Sequence, residues 1–342
     1  MLRFLGRKIL WGFMIVIGAL LIMFLMIHFI PGSPWANYST SPRVQLNRDI
    51  DTTLQNELNR RFGLNLPLWR QFTRYLIGDI NLDGSLFCGA ICGNLGPSIQ
   101  QHGRTVQAII FGPPVGQTFW QSRFGYSVRL VFFGTLILIG LGVPLGIYSA
   151  LKPKSWLSHL ISVGLAAFSS IPNFVLGLLA IILLASWLHL IPVLPDWNVP
   201  GNWIVPAFIL ALMPMAGIAR VTRISILNVI NEDYVRTARG KGLTWQRITL
   251  DHIVRNALVP IITSFGPTLM EMFVGLFIVE SLYSFPGMGR EYWKAVLALD
   301  YPMILGLTLV YAIGIVCINI INQLVCERLD PRIHGIEQGE AP

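Results

Sequence analysis

The stretch ILWGFMIVIGALLIMFLMIHFI, from Ile9 to Ile30, decides the class of fold. It contains no Asp, Glu, Lys or Arg, and an apolar helix needs roughly 20 residues to cross a hydrocarbon core of about 30 Å. The basic residues before it, Arg3, Arg7 and Lys8, are typical of a signal peptide. However, the run is too long for a signal-peptide core and lacks a small-residue cleavage site at its end. We therefore predict a first membrane span that is retained.

The composition of the whole chain agrees with a membrane protein. Its 342 residues are 54% hydrophobic and only 12% charged, and the mean hydropathy is +0.61. A soluble domain of this length needs more polar surface than that. The net charge of +8 raises the question of a nucleic-acid partner. We expect none, because the basic residues fall in short stretches between apolar runs and not on one exposed face.

Five further apolar stretches have the length of a membrane span. They run from about Leu130 to Leu151, Leu160 to Leu188, Ile204 to Val221, Ala257 to Val279 and Ile304 to Leu324. The sequence therefore predicts an all-α membrane protein with about six transmembrane helices.

The distribution of basic residues predicts the orientation of these spans. With a cytoplasmic amino terminus, the interior segments hold most of the Lys and Arg residues, whereas the short exterior loops hold only Arg290 and Lys294. We therefore expect a multi-pass protein of the cell (inner or plasma) membrane with both termini in the cytoplasm.

Proline lies within four of the predicted spans, at Pro144, Pro172, Pro214 and Pro267. Each proline removes a backbone donor and is expected to bend its helix. Membrane proteins tolerate such bends where neighbouring helices or a wet cavity satisfy the freed carbonyls. For any single proline the reason can be packing geometry, but four broken helices together favour a solute pathway over a simple anchor.

A long polar segment follows the first span and is predicted to be exterior and partly helical. Leu54, Leu58 and Phe62 recur at helical spacing before Gly63, and a similar pattern begins after Pro67. Two short helices are therefore expected here.

The same exterior segment contains Cys88 and Cys92. An oxidising compartment would allow a small disulfide loop between them. Free thiols remain an alternative, and so does a metal site, although two thiols with only His102 nearby fall short of a four-ligand set. The other two cysteines, Cys317 and Cys326, lie in the last span and are most simply packing residues.

The interior loop from Ser225 to Asn256 is too polar for a span and too patterned for a linker. We predict that Asn231 caps a first helix, with acids in its first turn and bases in its last turn, which matches the helix dipole. After the glycines at 240 and 242, Thr244 is predicted to cap a second helix that continues into the next span. Such a helical pair with exposed basic and aromatic groups is suited to docking a cytoplasmic partner.

This loop, DYVRTARGKGLTWQRITLDHIVRNALVP from Asp233 to Pro260, resembles the EAA loop of permease subunits of binding-protein-dependent ABC importers. The resemblance is to the dipeptide, oligopeptide and nickel branch, and the loop glycine of that family corresponds to Gly242. Further stretches agree along nearly the whole chain: FGLNLPLWRQFTRYL from Phe62, SSIPNFVLGL from Ser169, VESLYSFPGMG from Val279, LDYP from Leu299 and LDPR from Leu329. Arg236 stands where the wider family has the glutamate that names the loop.

The resemblance implies a type I importer permease architecture in three parts. These are the first span with the exterior segment (1–125), the transmembrane domain with a coupling loop at 225–256 (126–330), and a cytoplasmic tail (331–342). The implied ATPase-coupling residues are Tyr234, Arg236, Ala238, Arg239, Lys241, Gly242 and Arg255.

The resemblance also implies a set of partners and a direction of transport. The expected partners are a second homologous permease, two cytoplasmic ATPase subunits that use ATP and Mg²⁺, an extracytoplasmic solute-binding protein, and membrane lipid. This chain is expected to bind no cofactor or metal of its own. The chain is expected to form half of the translocation pathway for peptides or a similar small solute.

Motifs for other functions are absent from the sequence. There is no G-x-x-x-x-G-K-[ST] loop for nucleotide phosphates and no H-E-x-x-H metal motif. An intramembrane hydrolase is the enzyme alternative, but nothing local indicates a Ser-His-Asp site. An ion-coupled secondary transporter is the other alternative, and it ordinarily carries charges near mid-membrane and an internal repeat.

Two acids in the fifth predicted span are candidates for pathway residues. Glu271 lies near its middle and Glu280 near its outer end. A charged residue at bilayer depth costs at least about 2.5 kcal/mol unless it faces protein or water. For Glu271 we weigh pathway lining against a paired structural role, and for Glu280 a hydrogen-bonded position at the helix end.

Overall fold

A computed structural model of the chain describes residues 2–30, 52–80, 86–193 and 195–329. The tail at 331–342 and most of the LDPR stretch lie outside these residues. Within the described part most of the regular structure is helical, and one short hairpin joins two strands, β1 (Gly78–Ile80) and β2 (Leu86–Cys88), which pair antiparallel.

The α-helices of the described residues follow in chain order. They are α1 (Leu2–Phe29), α2 (Thr52–Phe62), α3 (Leu68–Leu76), α4 (Val106–Phe111), α5 (Arg123–Ile137), α6 (Val143–Leu151), α7 (Trp156–Ser170), α8 (Asn173–Ala180), α9 (Ile204–Ile230), α10 (Asp233–Gly240), α11 (Trp245–Arg247), α12 (Arg255–Leu282), α13 (Met288–Leu297) and α14 (Tyr301–Leu329). Three π-helical stretches, Leu138–Gly142, Ile181–Trp187 and Ile248–Val254, extend α5, α8 and α11.

Five helical segments of the described chain are long and apolar enough to cross a membrane, and a sixth arises if one bent pair counts as a single span. They are Gly6–Phe29, Arg123–Leu151, Pro200–Ile230, Trp245–Leu282 and Tyr301–Leu329, with the bent pair Trp156–Ser170 and Asn173–Trp187. The prediction of about six spans is confirmed.

The third predicted span is bent by 103° between α7 and α8. Pro172 stands at the break, and the residue before it, Ile171, adopts an extended backbone (φ −98°, ψ 126°). Proline disfavours the helical conformation of the preceding residue, which accounts for the break.

The other prolines do not break their helices as expected. Helix α9 continues through Pro214, and α12 continues through both Pro260 and Pro267. Pro144 lies in the first turn of α6, directly after a π-helical stretch. The prediction of four broken helices is therefore correct only at Pro172, because neighbouring turns can absorb the missing donor of an intrahelical proline.

One compact unit comprises residues 1–126 and 286–316, of which the structure describes 2–30, 52–80, 86–126 and 286–316. Its core packs the apolar faces of α1, α4 and α14 together, with Phe24, Ile109 and Ile304 almost fully buried. Helices α2 and α3 occur where predicted, since α2 ends at Gly63 (φ +74°) and α3 begins after Pro67.

The second compact unit comprises residues 127–285 and 317–342, of which the structure describes those up to 329 apart from residue 194. Helix α9 is its centre and packs most extensively against α12 and α6. Helices α6 and α9 approach closely at Gly146, where a Cβ atom would lie only 2.6 Å from the carbonyl oxygen of Ala219. Small residues that allow close backbone approach are typical of helix packing in membranes.

Candidate docking loop and intramembrane acids

The junction between α9 and α10 differs by one residue from the prediction. Asn231 does not cap α10, because its backbone is still helical (φ −94°, ψ −3°) and its side-chain amide donates back to the carbonyl of Leu227 at 3.1 Å. Asn231 therefore closes α9. The extended N-cap residue of α10 is Glu232, and its side chain makes no capping hydrogen bond.

Helix α10 has a buried face that fixes it to the ends of the spans. Val235 and Ala238 are only 1% and 5% exposed, and they pack in a cluster with Ile226 of α9 and Ile248 and Ile253 of the π-helical stretch. Spacing of three places both residues on one face of the helix. The side chain of Ala238 therefore packs against the ends of the spans.

The other face of α10 is exposed and basic. Tyr234, Arg236, Arg239 and Lys241 all face solvent. Asp233 lies in the first turn and Arg239 in the last turn, which is the charge order predicted from the helix dipole. The guanidinium of Arg236 lies 3.6 Å from the carboxylate of Asp233, but both are highly exposed and the pair contributes little.

Gly242, in the turn between the two helices of the loop, adopts the left-handed backbone conformation, with φ at +77°. Its amide donates to the carbonyl of Arg239 at 3.0 Å. A Cβ atom at this position would meet no atom within 4 Å. The requirement for glycine is therefore a matter of backbone conformation and not of space.

The second helix of the loop begins after Thr244 and continues into the next span, as predicted. Thr244 is the N-cap residue, although its side chain makes no capping hydrogen bond. The Arg239 guanidinium lies over the ring of Trp245, 4.8 Å from its centroid. Trp245 is still 41% exposed, and Arg255, at the start of α12, is also exposed.

The two acids of α12 lie in different surroundings. Glu280 is fully buried (0% exposed) and accepts a hydrogen bond from the hydroxyl of Ser127 at 2.6 Å. Glu271 is exposed. Its carboxylate makes no hydrogen bond or ion pair with any residue in the described part of the chain, so no structural partner for it is seen there.

The hairpin region brings Cys88 and Cys92 together. They are paired as a disulfide, with their Cα atoms 5.8 Å apart. Among the described residues no group of three or more His, Cys, Asp or Glu side chains is placed to hold a metal ion. In the last span, Cys326 is buried with its sulfur 3.6 Å from the hydroxyl of Thr263.

A buried carboxylate that the sequence did not single out lies in the first compact unit. Asp300, in the turn before α14, is 2% exposed. It accepts hydrogen bonds from the Ser98 hydroxyl (2.5 Å) and from the backbone amides of Ile99 (3.2 Å) and Gln100 (3.1 Å). Its presence in the LDYP stretch was the only signal, since its partners lie about 200 residues away in sequence.

A second buried acid, Glu291 of α13, holds the same unit together. It accepts from Arg123 Nε at 2.9 Å and from the side-chain amide of Gln101 at 2.6 Å. Arg123 also donates to the carbonyl of Ile109 at 3.0 Å. These bonds join α13 to the start of α5 and to the exterior segment.

Comparison with known proteins gives the family of this fold. Residues 142–335 match the model of the family described as "Binding-protein-dependent transport system inner membrane component". The matched range contains the candidate docking loop, residues 225–256, and both acids of α12.

Several curated relatives align over almost their whole length. The "Oligopeptide transport system permease protein AppB" of Bacillus subtilis (strain 168) is 29% identical, over 97% of this chain and 99% of that protein. The "Dipeptide transport system permease protein DppB" of the same organism is 32% identical over 92% of each chain. DppB of Escherichia coli (strain K12) is 30% identical over 97% of this chain and 99% of that protein.

The fold and these similarities define a multi-pass membrane protein of the transporter class. The chain belongs to the family of inner membrane components of binding-protein-dependent transport systems. It is a permease subunit of a binding-protein-dependent ABC importer.

Proposed function

We propose that this permease carries peptides or a similar small solute into the cytoplasm. The observation that carries the proposal is the similarity to permease proteins named for oligopeptide and dipeptide transport, which extends over more than nine-tenths of the chain. Nickel is a further substrate of the branch that the sequence resembles, and glutathione and oligosaccharides are carried by similar chains. Peptides are the substrate class that the named relatives favour.

The 225–256 loop is the proposed contact with the ATPase subunits. The exposed face of Tyr234, Arg236, Arg239 and Lys241 supplies aromatic and cationic groups of the kind enriched at interfaces. The buried pair of Val235 and Ala238 fixes that face to the ends of the spans. A push on α10 is therefore transmitted to α9, and through the π-helical stretch to α12.

Gly242 and Arg255 have supporting roles in the proposed contact. Gly242 sets the angle between α10 and α11 through its positive φ. Arg255 begins α12 and remains exposed to a partner below the span. The proposed mechanism is alternating access, in which ATP-driven closure of the ATPases moves the loop and the bent third span allows the helices to rearrange.

The proposed assembly contains one further homologous permease, two ATPase subunits and one solute-binding protein outside. ATP and Mg²⁺ are used by the ATPase subunits, and this chain binds no cofactor. Both of its termini lie in the cytoplasm, so α10 and α11 face the ATPases and the exterior segment faces the binding protein. Within the bilayer, Glu271 lines the pathway and Glu280 supports the helix end near its mouth.

The test is ATP-dependent peptide uptake by the complete assembly. The chain is co-expressed with the proposed second permease, ATPase subunits and solute-binding protein, purified, and reconstituted into proteoliposomes. We expect uptake of a radiolabelled dipeptide or oligopeptide that requires both ATP and the binding protein. Uptake driven by an ion gradient without ATP would instead support the secondary transporter. ATP-dependent uptake of nickel but of no peptide would contradict the proposed substrate.

A further inference from the structure

A small cavity lies between α6, α7 and α9, at the end of the second unit from which α10 follows. Its volume is about 110 Å³, and one water molecule needs at least about 10 to 15 Å³. The cavity therefore has room for several waters or for one small anion. Its polar lining consists of Ser149, Ser162, Arg220 and Arg223.

The polar side of this cavity is a cluster of hydroxyl groups and one ordered guanidinium. Arg223 donates from Nη1 to the Ser162 hydroxyl at 2.7 Å. The hydroxyls of Ser149 and Ser158 lie 3.0 Å apart, and those of Ser149 and Ser162 lie 3.4 Å apart. These contacts fix Arg223 against α7 and leave its remaining N–H groups available to a ligand.

The second cation, Arg220, stands one turn before Arg223 on the same face of α9. Neither arginine forms an ion pair with a carboxylate in the described ranges of the chain. The exposed docking loop differs, because Arg236 and Arg247 there each lie 3.6 Å from an aspartate. Two neighbouring guanidiniums without an acid attract an anion, and their planar donor sets suit phosphate.

The remaining walls of the cavity are apolar. Leu145, Ile161 and Leu165 line it beside the hydroxyls. The neighbouring face of α7 is also exposed and apolar, at Leu160 and Val163. A charged headgroup bound in the cavity would therefore lie next to an apolar surface that can hold an acyl chain. A site for a free inorganic ion would not need such an apolar surface beside its cationic groups.

We propose that Arg220 and Arg223 bind the phosphate of an anionic phospholipid from the cytoplasmic leaflet. Basic recesses between transmembrane helices on the cytoplasmic side are a known way of holding acidic headgroups. The proposal goes beyond transport and rests only on the orientation proposed above. A lipid held here contacts α6, α7 and α9 together, directly before the docking loop.

The test measures lipid binding to the assembled transporter, purified in a neutral detergent. Native mass spectrometry gives the fraction of complexes that retain added phosphatidylglycerol, compared with phosphatidylcholine and with inorganic phosphate. The double variant Arg220→Gln/Arg223→Gln is compared with Arg328→Gln, which removes an exposed arginine at the end of α14, outside the cavity.

We expect phosphatidylglycerol to bind in preference to phosphatidylcholine. The double variant should bind phosphatidylglycerol with an apparent affinity about tenfold lower or more, which is the effect of losing at least one charge-assisted hydrogen bond. Arg328→Gln is expected to bind as the unchanged protein does. If the double variant does not assemble, Ser162→Ala and Arg220→Gln alone are used, and each is expected to weaken binding.

Three outcomes would overturn the proposal. Equal binding of phosphatidylcholine would indicate that the acyl chains alone are recognised. Displacement of the lipid by millimolar inorganic phosphate, with no preference for the lipid, would indicate a free-anion site. Unchanged binding in the arginine variants would place the lipid elsewhere. None of these results depends on peptide uptake, so failure of the lipid proposal is distinguishable from failure of the proposed function.

Discussion

Two glutamates nine residues apart on one helix have opposite surroundings. Glu280 is buried and hydrogen-bonded to Ser127, whereas Glu271 is exposed and has no such partner among the described residues. An acid at bilayer depth is retained only where protein or water compensates its charge. We therefore assign different roles to the two residues, and each role predicts a different effect of substitution.

Substitution of Glu271 is expected to change transport and not folding. Glu271→Gln keeps the shape of the side chain and removes its charge, so the permease should reach the membrane in the usual amount. Peptide uptake should change in rate or in substrate preference by about tenfold, the effect of losing one charge-assisted contact. Unchanged uptake in both Glu271→Gln and Glu271→Ala would exclude a pathway role.

Substitution of Glu280 is expected to lower stability. Glu280→Ala removes the acceptor of the buried Ser127 hydroxyl, and a buried polar group left without its partner costs about 1 to 3 kcal/mol. Thermal unfolding of the purified transporter should therefore begin at a lower temperature. Glu280→Gln is the matched control, because its amide oxygen can still accept from Ser127 and the loss should be smaller. An alanine variant as stable as the unchanged protein would show that the bond is unimportant.

Single residues were predictable where a local rule decides their conformation. The positive φ of Gly242 follows from its place between two helices. Asn231 was placed one residue wrongly, because its side chain bonds back to α9 and not forward to α10. Asp300 was missed as a site, because its hydrogen-bond partners come from a segment about 200 residues earlier that only the tertiary fold brings near.

Among the larger elements, hydrophobic length located the spans of the described residues, while the structure was needed to show which of the four prolines breaks its helix. Pro172, Pro214 and Pro267 are equivalent in sequence terms, yet only Pro172 separates two helices. The difference is that Ile171 has left the helical conformation, whereas the residues around Pro214 remain helical. Packing of α9 against α6 and α12 favours its continuity.

The disulfide between Cys88, at the end of β2, and Cys92 gives a prediction for both cysteines. We expect Cys88 and Cys92 to resist alkylation in intact cells until a reductant is added, because a disulfide leaves no thiolate to react. The measurement is the mass shift of the protein after alkylation with and without reductant. The Cys88→Ser variant is the control, since its remaining thiol should label at once. Full labelling of both cysteines without reductant would show that they are free thiols.

For the whole molecule, composition and charge distribution were enough to define the class. The scarcity of charged residues in the spans predicted the membrane fold, and the placement of Lys and Arg between the spans predicts an orientation that is still to be tested. The division into two compact units was not predictable, because residues 286–316 join residues 1–126 only through contacts distant in sequence.

The orientation of the molecule is tested with fusions to a reporter enzyme that is active only outside the cytoplasm. Fusions near Gln100 or Trp197 should be active, and fusions near Gly240 or after Asp330 should be inactive. Expression of each fusion is checked by immunoblot, so that an inactive fusion is not confused with an absent one. Activity at Gly240 would reverse the orientation and remove the docking loop from the ATPases.

The central claim is that the 225–256 loop couples this permease to its ATPases, and the variant Gly242→Pro tests it most directly. Proline fixes φ near −65° and lacks the N–H group that bonds to Arg239. The native φ of +77° is therefore inaccessible. Gly240→Ala is the control, because Gly240 has no positive φ and space for a Cβ atom.

Membrane insertion should survive in Gly242→Pro, since no span is altered. The measurement is co-purification of the ATPases with the permease, together with uptake of a radiolabelled peptide in the same cells. Gly242→Pro should lose both ATPase co-purification and peptide uptake, and Gly240→Ala should retain both. Reversal of charge at Arg239 should weaken association with the ATPases less than Gly242→Pro does, because an exposed ion pair contributes only about 0.2 to 1 kcal/mol. Full association and full uptake in Gly242→Pro would contradict the coupling role of the loop.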